Sequence, residues 1–163
     1  MAKSTAHARE SRAACEFAFA FLADEFGYRR CVRRFRYGGF QLGYCGPDTG
    51  VLVEWNPRDP LLVWLVILAD GRFPPRSNPA DFSAPLRYFD LADLEAVTTQ
   101  PSAVSQRDLH SATAPAAHAL ASSLRACGTS LLRGDLALIP SLEERIRDRV
   151  RRSRWPGNVQ QEE

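Results

Sequence analysis

The spacing of apolar positions changes period twice along this chain. From Cys15 to Phe26, the residues Cys15, Ala18, Phe19, Leu22 and Phe26 recur at offsets of 3, 4, 7 and 11, the stripe of an α-helix. Phe17 and Phe21 widen that stripe, which predicts a helix buried on more than one side. Gly27 stands where a left-handed C-terminal cap is expected. The period then drops to two. Tyr28 to Tyr37 reads as an arginine-rich strand, and Gly38-Gly39 as a two-residue hairpin turn. Phe40, Leu42 and Tyr44 alternate with Gln41, Gly43 and Cys45 in a half-buried strand. After the turn residues Gly46 to Gly50, Val51, Val53 and Trp55 alternate with Leu52, Glu54 and Asn56. Pro57 and Pro60 break that strand. Leu61 to Leu68 is apolar on both pleat faces, as expected of a strand covered on both sides or roofed by a helix. Connections this short predict antiparallel pairing, because a parallel crossover needs about a dozen residues.

Helical spacing returns further on. Asp70 to Pro85 is a proline-punctuated loop, and Asp90 to Val97 a short helix with an Asp cap and Leu91 and Leu94 inward. Thr98 to Thr113 is a polar connection. Pro115 suits a first helical turn, Leu120, Leu124, Cys127 and Leu131 share one face, and Gly134 caps the end. Asp135 caps the next segment, where Leu138, Leu142, Ile146 and Val150 stand four apart and Pro140 kinks or restarts the helix. The expected class is α+β: an N-terminal helix, a four-stranded antiparallel meander, then a short helix and two C-terminal helices packed on the sheet. Residues 1–10 are expected as a frayed arm, 11–154 as a single domain, and 155–163 as an unstructured tail.

With 163 residues, 45% of them apolar and 25% charged, the chain has the makings of a globular core rather than a disordered one. A net charge of +2 is too small to imply a polyanionic partner. Lys3 is the only lysine, against twenty arginines. A GC-rich coding sequence accounts for that bias; a functional reading uses the planar, bidentate contacts of arginine with carboxylate or phosphate. Cys15, Cys31, Cys45 and Cys127 form no Cys-x-x-Cys pair, the N-terminus lacks a signal-peptide core, and the longest apolar run is too short to cross a bilayer. The expectation is a cytoplasmic chain with reduced thiols and no membrane association.

The candidate chemistry is thin. His7, His110 and His118 have no partners at zinc-site spacing. Asp108 and His110 could orient and act as a base, but the strained elbow that would carry a nucleophile is absent. Neither glycine cluster matches a phosphate-binding loop, and Arg133-Gly134-Asp135 is explained by adjoining helix caps. No catalytic residue, metal ligand or cofactor is assigned, and the chain is read as a non-enzyme.

Arg29, Arg30, Arg33, Arg34 and Arg36 put five positive charges among Tyr28, Phe35 and Tyr37, with no acid. Three roles compete: a charged edge that protects the sheet from pairing, a protein-docking surface, and a surface for single-stranded nucleic acid. In the last helix, Glu143 with Arg147 and Asp148 with Arg152 form favourably oriented four-apart pairs on a solvated face.

The stretch Phe19 to Tyr28, the Val51 to Leu68 hairpin and Leu131-Leu132-Arg133-Gly134-Asp135 together resemble small uncharacterised bacterial α+β proteins, immunity-protein-like in build. The resemblance implies a non-enzymatic interaction module that neutralises a cognate toxin by stoichiometric binding. Its first binding candidates are Arg34, Arg36, Tyr37, Trp55 and Trp64, with Trp64 equally readable as core. A basic strand suits an acidic or neutral target. The alternative is a nucleic-acid-binding module using residues 29–36.

Overall fold

The computed structural model describes residues 2–36, 38–98 and 114–154. In chain order they form α1 (Ala2–Ala18), α2 (Phe21–Asp24), β1 (Arg29–Arg36), β2 (Gly39–Cys45), β3 (Thr49–Trp55), β4 (Leu62–Ile67), β5 (Tyr88–Asp90), α3 (Leu91–Val97), α4 (Ala114–Leu132) and α5 (Ile139–Arg154). The strands make one antiparallel sheet in the order β1-β2-β3-β4-β5. The α+β class and the antiparallel meander agree with the sequence reading, but the strand count does not. There are five strands rather than four. β5 is three residues long, too short for alternation to register in the sequence. It exists because β4 offers an open edge, to which Tyr88, Phe89 and Asp90 pair opposite Val66, Leu65 and Trp64.

Register divides the sheet into two chemically different faces. On the first, Phe40, Leu42, Tyr44, Val51, Val53, Trp55, Val63, Leu65 and Phe89 join one apolar cluster with Cys15, Phe19 and Leu22, Leu94, Leu120, Leu124 and Leu131, and Leu142 and Ile146. Side chains from all the longer helices therefore meet the sheet on one side. Asp90 caps α3 by accepting from the Ala92 N–H at 3.0 Å. At the C-terminus of α4, Gly134 takes φ +88°, a conformation open to glycine without steric cost. The Asp135 carboxylate then accepts from the Ala137 N–H at 3.0 Å and starts the approach to α5.

The second face carries Gly43, Gly50, Leu52, Trp64, Val66 and Leu68. A strap running from residue 70 to 87 covers much of it. Asp70 (φ +51°) and Gly71 (φ +69°) turn the chain back, with Ala69 and Arg72 exchanging backbone hydrogen bonds. The Phe73 ring then lies where side chains at Gly43 and Gly50 would stand, since an added Cβ would come within 2.8 and 3.0 Å of it. The doubly apolar run Leu61 to Leu68 is thus explained. Helices cover one side of it and the strap covers the other.

At the N-terminus, α1 is already helical at Ala2 where a frayed arm was expected. Ala8 and Ser11 are buried, and His7 meets Trp55 edge-on at 5.4 Å. The predicted continuous helix breaks after Ala18 and resumes as α2, although Cys15, Phe19 and Leu22 are all fully buried. Phe17 does not widen the buried stripe; it is 74% exposed, edge-on to His118 at 5.6 Å. The expected 98–113 connection beyond Thr98, with Asp108 and His110, and the 155–163 tail lie outside the described residues.

The cysteines depart from expectation. Cys31 and Cys45 are joined as a disulfide across the β1–β2 pair, at the bulge where β1 shifts register between Arg30 and Val32. A disulfide persists in oxidising surroundings, which is at odds with four reduced thiols. Cys15 and Cys127 are free and buried. Burial pushes their thiols up to about 12 and about 11, so both behave as small apolar groups. Among the described residues, no helix is long and apolar enough to cross a membrane.

Candidate functional site

The strap stops short of one end of the second face, and there a cleft of about 690 Å³ opens. Phe40 and Trp55 reach it from the helix-covered side, Leu62 from β4, and Asn56, Pro57, Arg58, Asp59 and Pro60 form its rim. Sequence dictates the rim. Pro57 and Pro60 end the β3 ladder, and the Asn56 side chain closes the turn by accepting from the Arg58 N–H at 2.9 Å while donating to Asp59. Gly39 makes the close approach possible, because a Cβ there would collide with the Trp55 carbonyl oxygen.

A fixed polar array lines the opposite wall. Gln41 and Glu54 are direct cross-strand partners, and the Gln41 amide donates to Glu54 Oε1. Glu54 Oε2 receives the guanidinium of Arg76, which comes from the strap. That same guanidinium lies 4.7 Å from the Trp64 ring centroid and 5.2 Å from that of Tyr88. Tyr88 donates its hydroxyl to the Pro74 carbonyl at 2.6 Å, pinning the strap. Burial raises the Tyr88 phenol above its ordinary pKa, with the Arg76 charge opposing. Gln41, Glu54, Arg76 and Tyr88 are each held by a neighbour and present a preset pattern. The indole N–H groups of Trp55 and Trp64, by contrast, are buried with no hydrogen-bond partner among the described residues.

The five binding candidates separate. Trp55 lines the cleft. Trp64 is half-buried beneath Arg76 and reaches the cleft only through it. Arg34 pairs in register with the cleft residue Gln41 and is exposed. Arg36 ends β1 opposite Gly39, and Tyr37 lies outside the described residues. Sequence reasoning missed Gln41, Glu54 and Arg76. The first two were visible only as the polar partners of an alternating pattern, and Arg76 was hidden in a loop with no periodicity.

A second cleft, of about 440 Å³, lies between α3 and α5, with Asp93, Ser141, Glu144, Arg145, Asp148, Arg149 and Arg152 around it. Asp93 is buried, and its Oδ1 receives Arg149 at 2.8 Å and Arg145 at 3.3 Å. Elsewhere on α5, Glu143 accepts from the Leu86 N–H at 2.7 Å, and Arg147 donates to the Ala84 carbonyl at 2.8 Å while stacking on Phe82. The four-apart pairs expected along α5 are therefore not its main contacts. Its charges clamp α3 and the strap. The cleft reads as part of this intramolecular clamp.

Among the described residues, no group of three or more His, Cys, Asp or Glu side chains is placed to hold a metal ion. No protein-family model, curated protein or solved structure matches this chain.

Proposed function

We propose that the chain is a non-enzymatic protein-interaction module whose contact surface is the open end of the sheet. The observation that carries this reading is the cleft itself, where an apolar wall of Phe40, Trp55 and Leu62 faces the preset Gln41–Glu54–Arg76 array. An aromatic anchor beside fixed hydrogen-bonding groups is the composition of a binding hot spot, where apolar contact supplies energy and the polar frame supplies orientation. Arg58 on the cleft rim carries positive charge, which favours an acidic or neutral target surface. Stoichiometric neutralisation of a toxin, the role implied by the resemblance to immunity-type proteins, is the form of partnership we favour.

Site-specific photo-cross-linking tests the reading. A cross-linker at Arg58, on the cleft rim, captures one partner at fixed stoichiometry in the native host, whereas a cross-linker at exposed Arg133 does not. Glu54→Lys, which reverses the centre of the polar array, abolishes the Arg58 product without lowering the amount of folded protein. Identical products from both positions, or an Arg58 product insensitive to Glu54→Lys, would refute the assignment.

A further inference from the structure

The two edges of the sheet are treated very differently. β5 closes one edge with three residues, a length that offers a passing strand little to pair with. β1 closes the other with eight, and every described side chain from Arg29 to Phe35 is exposed except the half-buried Val32. Its bulge lies near the start, between Arg30 and Val32, so Val32 to Arg36 continues as a regular ladder opposite Gly43 to Gly39. Among the described residues, the outer backbone groups of that ladder have no strand neighbour in the sheet.

Charge selects what such an edge accepts. On the helix side, Glu16 of α1 takes Arg30 at 2.8 Å, Arg12 at 3.5 Å and Arg33 at 3.6 Å. One carboxylate serves three guanidinium groups, leaving positive charge in excess. Arg29 and Arg34, which follow Cys45 and Gln41 in register on the other face, make no ion pair among the described residues. A second copy laid along β1 would set arginines against arginines and is repelled. A nucleic acid would need a row of aromatic platforms, whereas among the described aromatic residues of this edge Tyr28 is buried and only Phe35 is exposed, with Arg12 4.7 Å over one side of its ring. What remains is an open backbone ladder beneath an uncompensated positive field.

We infer that β1 is a docking edge for an acidic, extended segment of a partner protein, which adds as a sixth strand beside Val32 to Arg36. Main-chain hydrogen bonds hold the segment. Its alternate side chains are acidic on the Arg29 and Arg34 face and apolar on the other, where Phe35 is 48% exposed. The edge and the cleft meet at the Arg34–Gln41 pair, and the test leaves every cleft residue unchanged.

The test measures fluorescence anisotropy of a labelled peptide alternating glutamate and valine, at low salt, against the full chain. The peptide binds, and methylating its alternate amide nitrogens in one register weakens binding by about tenfold or more, while the other register binds nearly as before. Arg29→Glu combined with Arg34→Glu also weakens binding by about tenfold or more. The circular dichroism and melting temperature of this variant stay unchanged, because both side chains are exposed. Amide exchange along Val32 to Arg36 slows on binding. No binding, or equal binding by both methylated registers, overturns the strand-addition model. A single-stranded oligonucleotide that binds more tightly than the peptide, its log affinity falling linearly with log salt, reassigns the edge to nucleic acid. A concentration-dependent dimer that the peptide does not dissociate reassigns it to self-pairing.

Discussion

Replacing Cys31 by serine tests the structure at a point where it departs most plainly from sequence expectation. Cys31 is exposed, so the substitution removes little besides the bond to Cys45. The sequence separation of 14 closes a loop for which chain-entropy arguments give roughly 3 kcal/mol of unfolded-state destabilisation. For a chain of this length, that corresponds to a fall in melting temperature of roughly 6–12 °C. The bond closes beside a tight hairpin whose strands are already paired, so native packing changes little and the effect falls on the unfolded ensemble. Calorimetry on the wild type and on Cys31→Ser gives the shift, and the same wild type in reductant reproduces it. Thiol titration under non-reducing denaturation keeps the test sharp. The wild type exposes two thiols, Cys15 and Cys127, and the variant exposes three. Four thiols in the oxidised wild type would show that the bond does not form. Two thiols with a shift below about 2 °C would refute the entropic account.

Three further outcomes follow from the packing. Phe89→Ala removes a fully buried ring contributed by a three-residue strand and costs about 3–5 kcal/mol by urea denaturation. A cost below about 1 kcal/mol would mean that β5 does not seal the core. Arg76→Ala strips the guanidinium from Trp64 and leaves Glu54 with Gln41 alone, so tryptophan emission shifts to the red while the fold is retained. An unchanged spectrum would detach Arg76 from the site. Asp90→Asn keeps the α3 cap but removes a charge that burial disfavours, reinforced by Asp93 and Glu95 and opposed by the cap bond and Arg149. A raised folded-state pKa means that the wild type loses stability as pH rises through it. The variant is therefore the more stable at pH 7, and the gap closes below the unfolded value of about 3.9. Equal denaturant midpoints at pH 7 would refute this.

Much of the fold could be read from local patterning because each element shows itself within a short window. Alternation in Phe40 to Cys45 and Val51 to Trp55 is a local consequence of half-burial, and the glycines at 27 and 134 report backbone conformations that other residues rarely adopt. Even the doubly apolar run at 61–68 announced that something covers its second face. What covers it was not legible, because the strap has no period and is held by single long-range contacts such as Phe73 on Gly43 and Tyr88 on Pro74.

The chemistry of the surface was decided almost entirely by tertiary structure. An arginine looks the same in sequence whether it faces solvent or clamps a neighbour. Only the fold shows that Arg145 and Arg149 are committed to Asp93, Arg147 to the strap and Arg76 to Glu54, while Arg29 and Arg34 make no ion pair among the described residues. The disulfide likewise depends on an antiparallel register that brings the two cysteines within 6.0 Å between α-carbons. Local patterning marked most of the buried positions of the sheet and of the later helices, though not the exposed Phe17 or the buried Ala8 and Ser11, because burial largely follows apolar periodicity along the chain. Only the tertiary structure decided which charges remain available to a partner, because pairing depends on distances between segments remote in sequence.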